Sequence, residues 1–178
     1  HDLSFEKVTE DFILREAGWV ILSSGMREAV IRNKFPAISR SFLNWISAQQ
    51  IIIHKENCRQ KAIAVFGHGG KINAIIRVAD EVHQRGFAEV QRLIQQDGIA
   101  YIRSLPFMGP ATSFHLAKNL GMAVVKPDRH LVRVAQKTGF ASPDIMCEKI
   151  SKIIGDKISV VDLVIWRYAT LDTEYLRL

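Results

Sequence analysis

Residues 104–140 read SLPFMGPATSFHLAKNLGMAVVKPDRHLVRVAQKTGF, and Pro106, Gly109 and Pro110 leave the backbone little choice there. Asp97 predicts the N-cap of a helix carrying Ile99, Ile102 and Leu105, and Pro106, which has no N–H to donate, stops it. Gly109 permits a positive φ, Pro110 suits the first position of a new helix, and Gly121 ends that helix after Leu120. The pattern is helix, hairpin, helix over residues 97–121. The N–H groups that open the second helix lack intrahelical acceptors, and the positive end of the helix dipole favours an anion, so a nucleic-acid phosphate is a natural guest. An αα-corner that only packs would use the same residues.

Lys126-Pro127-Asp128 begins the next helix, predicted to run to Thr138. At about 100° per residue, Asp128 falls beside Leu131, Val132 and Ala135, while Arg129, Arg133 and Lys137 form a separate stripe at i, i+4, i+8. The acid faces inward and the bases face solvent or a polyanion. Taken alone, Asp128 is also what a simple helix cap requires.

Hairpin, second helix, a short extended link over residues 122–125 and then Asp128-Arg129-His130 together resemble the helix-hairpin-helix, Gly/Pro, Asp superfamily of DNA glycosylases, in particular its endonuclease III branch. The likeness runs in order from Ile21-Leu22-Ser23 through the turn from Gly67 to Lys71, and the hairpin, to Val160-Val161-Asp162-Leu163 and Trp166. It implies one all-α, two-lobed domain over residues 1–178. The apolar first and last helices are expected to pair, so that lobe A holds residues 1–30 and 141–178 and lobe B residues 31–140. The implied function is base excision: cleavage of the N-glycosidic bond of a damaged or mispaired base flipped out of double-stranded DNA. Asp128 matches the family's catalytic acid. DNA contacts fall on Leu105, Pro106, Phe107, Met108, Gly109, Ala111 and Thr112 of the hairpin, and on Lys71, Lys126, Arg129 and Arg133.

Departures from the family pattern refine these expectations. Ala111 stands where bifunctional relatives carry a Schiff-base lysine, and Lys118 lies about two turns further on, so lyase activity is not expected. Phe107 replaces the hairpin's first glycine, which weakens the family's monovalent cation site but spares phosphate contact through Gly109. Relatives commonly have Gln where Gly25 aligns, so either Met26 or Arg27 takes the role of a wedge into the DNA stack, or residues 23–27 form a plain turn. Trp19, Trp45 and Phe114 are candidates for a base pocket, and each also suits the core.

With 178 residues, 48% of them hydrophobic, the chain can bury a substantial core, and its formal charge of +6 favours a polyanionic partner. Cys58 and Cys147 are far apart, and no cysteines follow Cys147 to hold the family's iron–sulfur cluster. No cofactor and no metal ligand set are therefore expected. No apolar run reaches membrane-spanning length, and nothing reads as a secretory signal, so a monomer acting on intracellular DNA, cytoplasmic or nucleoid or nuclear, is expected without a membrane partner.

Further helices are predicted from Ser4 to Leu22, from Glu28 to Lys34 with Pro36 as the stop, from Ala37 to Ile53, from Glu56 to Phe66, and along an amphipathic stretch after Gly67-His68-Gly69-Gly70-Lys71. Others follow over 87–96, from a start at Ser142-Pro143 through Ile153 to a stop at Gly155, and from Ser159 to Ala169, and no segment has strand periodicity. The rival reading is a non-catalytic helix-hairpin-helix DNA-binding protein in which Asp128 only caps; a purely structural helical domain leaves the hairpin and the basic stripe unexplained.

Overall fold

The computed structural model describes residues 5–172 and 174–177. They form eleven α-helices and two 3-10 turns, with no strand among the described residues. The chain divides into two compact units, one ending at Leu120 and the other beginning at Gly121. This division differs from the expected lobes: α1 (Glu10–Ser23) packs inside the first unit and the last helix inside the second.

In the first unit, α1 starts behind Thr9, and the expected start at Ser4 lies outside the described residues. Ile13, Leu14, Ala17, Val20, Ile21 and Leu22 are all buried, because α2 (Glu28–Ser41), α5 (Gly69–Arg85) and α8 (Pro110–Asn119) cover α1 from several sides. Pro36 does not stop α2, which continues to Ser41. A proline in a helix interior forfeits one backbone bond, but Ile31, Phe35 and Ile38 are buried on both sides of it, and their burial outweighs the loss. The expected helix over residues 37–53 is broken instead. Leu43, Asn44 and Trp45 have φ of 54°, 52° and 67°, a left-handed turn that separates α2 from α3 (Ala48–Ile53).

Gly67, at φ 80°, ends α4 (Lys55–Phe66), and His68 caps α5 by accepting the Lys71 N–H at Nδ1. Of the apolar stripe that the sequence predicts along α5, Ile72, Ile75, Ala79 and Val82 are buried, with Val78 beside them, while Ile76 is half-buried. Asp97 closes α6 (Phe87–Asp97) rather than capping the next helix. Gly98, at φ 54° and ψ −125°, makes the junction to α7 (Ile99–Ser104), a backbone state open to glycine alone.

The second unit holds α9 (Arg129–Lys137), α10 (Pro143–Ile154) and α11 (Ile158–Leu171). Val125, Leu131, Ala135, Met146, Cys147 and Val161 form its core. Ser142 caps α10 and Gly155 ends it at φ 79°. α11 keeps Leu163, Val164 and Leu171 more than half exposed, so its apolar surface exceeds what α9 and α10 cover. No helix among the described residues is long and apolar enough to cross a membrane.

Candidate functional site

The hairpin joins α7 to α8. The Met108 N–H donates to the Leu105 carbonyl at 3.2 Å, closing a turn with Pro106 and Phe107 at its centre. Phe107 has φ 63°, the signature of a type II turn, whose third residue favours glycine. The positive φ expected at Gly109 is thus carried by Phe107. Gly109 itself is extended (φ −75°, ψ −174°) and has room for a Cβ.

Among the described residues no side chain caps the N-terminus of α8, and the Ala111 and Thr112 N–H groups that open it lack intrahelical acceptors. The Thr112 hydroxyl turns back instead, within reach of the Phe107 carbonyl (3.0 Å) and the Gly109 carbonyl (3.2 Å). Phe107, Gly109, Pro110 and Ala111 are exposed, so the hairpin presents its tip to solvent. Leu105 and Met108 are 6% and 4% exposed, so their side chains anchor the hairpin from inside. The carbonyls of Leu105, Phe107 and Gly109 each accept a hydrogen bond within the hairpin.

A polar cleft of about 420 Å³ adjoins the hairpin between Arg77, Glu81 and Arg85 of α5 and Ser104 to Pro106. Its charges are mixed, since Glu81 pairs with Arg85. Burial, and then the Glu81 carboxylate 3.2 Å from its hydroxyl, push the Tyr101 phenol up to about 12.

In the second unit Asp128 precedes α9 and caps it. Oδ1 accepts the N–H of His130 at 2.9 Å and of Leu131 at 3.0 Å, and Oδ2 accepts none among the described residues. Arg129, Arg133 and Lys137 are exposed and Leu131 and Ala135 buried, the division of faces that the spacing predicts. Lys126 is half-buried, and its N–H donates to Oδ2 of Asp162 at 2.8 Å. The His130 ring lies between Arg129 Nε at 3.4 Å and the buried Tyr175 hydroxyl at 3.1 Å from Nδ1. If Nε2 accepts from Arg129, then Nδ1 carries the proton and Tyr175 accepts it. From the sequence, Asp162 is placed only within the family likeness, with no role of its own, and Tyr175 is not singled out. An acid inside the otherwise apolar run VVDLVIW was the one available signal for Asp162, and Tyr175 offered none.

Lys71 requires the plainest correction. It is 4% exposed, and its ammonium donates to the Leu22 carbonyl at 2.8 Å and the Ser24 carbonyl at 2.5 Å, over the Phe66 ring. It closes the C-terminal end of α1 rather than reaching for phosphate, and burial holds its pKa below the usual lysine value. The turn it braces carries Met26, 43% exposed, and exposed Arg27.

Trp45 is 2% exposed, stacked on Phe42 at 5.0 Å and 14°, with its indole N–H on the Ser39 hydroxyl. That makes it core rather than pocket. Trp19 is half-buried, edge-on to Phe35 and beneath Arg32, and Phe114 is half-buried one turn into α8. An apolar cavity of about 310 Å³ lies among Val134, Phe140, Ile150, Val164 and Tyr168, with no charged residue among its described lining. Tyr175, whose hydroxyl reaches His130, also lines it.

No family model, curated protein or solved structure matches this chain.

Proposed function

We propose that this protein is a DNA glycosylase of the helix-hairpin-helix, Gly/Pro, Asp superfamily, with the two-lobed helical fold of its endonuclease III branch. It would excise a damaged or mispaired base flipped out of double-stranded intracellular DNA, as a monomer and without a cofactor. The observation that carries the reading is Asp128. Two backbone bonds on Oδ1 fix its orientation, Oδ2 is left for chemistry, and exposed Arg129 and Arg133 follow on the same helix.

Cleavage of an N-glycosidic bond builds positive charge on the sugar. A fixed carboxylate stabilises that charge and orients or deprotonates the attacking water. The uncapped start of α8 and the exposed tip of the hairpin supply backbone N–H groups for phosphate. Ala111 offers no amine to form a Schiff base, so the product is an intact abasic site.

The rival, a non-catalytic helix-hairpin-helix DNA-binding protein, is favoured by the same two capping bonds, which by themselves give Asp128 a structural role. One experiment separates the two. A panel of duplexes carrying alkylated, oxidised, deaminated or mismatched bases is assayed with wild type and Asp128→Asn. The expected outcome is excision of at least one base by wild type, its loss by about a hundredfold or more in the variant with DNA affinity retained, and no trapping of wild type by borohydride. Binding without excision of any base would leave the non-catalytic reading, and borohydride trapping would overturn the monofunctional one.

A further inference from the structure

Asp162 is 1% exposed, on a helix whose neighbouring residues are mostly apolar. A carboxylate held that deep is costly unless specific hydrogen bonds compensate. Its Oδ2 accepts the backbone N–H of Lys126 at 2.8 Å. The Lys126 carbonyl in turn accepts the Asp128 N–H at 2.7 Å, closing a three-residue turn around Pro127, whose ring fixes φ. Asp128 then caps α9 through Oδ1. Both backbone polar groups of Lys126 are thereby held, the N–H by α11 and the carbonyl by the residue whose carboxylate is at issue. The segment from Gly121 to Asp128 has no regular secondary structure of its own that would hold it in place.

We propose that Asp162 is the positioning residue for Asp128: by clamping Lys126 it sets the direction in which the Asp128 carboxylate is presented. This rests on the glycosylase reading of Asp128. The cap holds Asp128 from the α9 side and Val125 is anchored in the core, and the clamp adds a fixed point between them at Lys126, tying it to the buried side of α11. A shift of about 1 Å at a reacting group is enough to cost roughly a hundredfold in rate.

The test compares wild type, Asp162→Ala and Asp162→Asn. The readouts are single-turnover excision at saturating protein, DNA affinity by fluorescence anisotropy, and hydrogen-exchange protection of the Lys126 and Asp128 amides by NMR. In the alanine variant excision should fall about tenfold or more, DNA affinity should stay within about twofold, and both amides should lose protection. Asp162→Asn keeps an oxygen that accepts the Lys126 N–H, so its excision should stay within about threefold of wild type.

The proposal is overturned if Asp162→Ala excises at the wild-type rate, or if its loss of excision is matched by an equal loss of DNA affinity. Should the alanine variant not fold, Asp162→Asn decides: protected amides with excision abolished, or unprotected amides with excision unchanged, each contradict a positioning role. Wild type without Asp128-dependent excision would remove the functional reading and this proposal together, whereas the outcomes above remove the proposal alone.

Discussion

Phe107 holds a backbone conformation that costs an L-residue with a bulky side chain about 1–2 kcal/mol and costs glycine nothing sterically. Phe107→Gly should therefore raise stability by about 0.5–1 kcal/mol after the extra entropy of glycine in the unfolded chain is subtracted, and Phe107→Ala should give no such gain. Urea unfolding of both variants checks this; equal effects would mean that the turn relaxes without strain. Gly18 poses the opposite case. A Cβ there would lie 2.7 Å from Cη2 of Trp45, and that indole is pinned by its stack on Phe42 and its bond to Ser39. Gly18→Ala gains about 1 kcal/mol in helix propensity and loses more to overpacking, so a net loss of about 1–2 kcal/mol is expected by the same measurement.

Among the elements, α1 ends where it does because Lys71, 49 residues from Leu22, reaches across from α5 to the last carbonyls of α1. Lys71→Met fills similar space and removes the charge that burial disfavours, but it leaves the Leu22 and Ser24 carbonyls without their ammonium partner. Stability should drop by about 1–3 kcal/mol, and the salt dependence of DNA binding should not change. A lysine that contacted phosphate would give the reverse result, a shallower salt slope with little loss of stability. α2 shows how far packing overrides a local stop signal: Pro36 predicts an end, and Phe35 and Ile38, buried next to it, carry the helix on.

For the whole molecule, the +6 charge matters through where it is exposed. Arg129 and Arg133 lie on the solvent face of α9, whereas Arg85 and Arg92 are occupied with Glu81 and Glu89. The logarithm of DNA affinity should fall linearly with the logarithm of salt concentration, at a slope of about −0.9 per neutralised phosphate. Replacing Arg129 and Arg133 together with Gln should reduce its magnitude by about 2. Titration at several salt concentrations measures this, and an affinity indifferent to salt would contradict a phosphate-binding surface.

Local signals written into single residues were legible from the chain alone: Ser142-Pro143 and Gly155 bounding α10, Pro110 opening α8, Asp128 opening α9, and the division of α9 into apolar and basic faces. Each depends on backbone chemistry or helical period within a few residues, which sequence order fixes. Features that depend on distant partners were decided only by the tertiary structure. Lys71 turned inward because the end of α1 offered carbonyls, Trp45 entered the core through a left-handed turn that no propensity announces, and α1 and α11 went to different compact units. Asp162 met Lys126, 36 residues away, because the shared apolar core of α9, α10 and α11 brought them together, and a one-dimensional pattern carries no record of that contact.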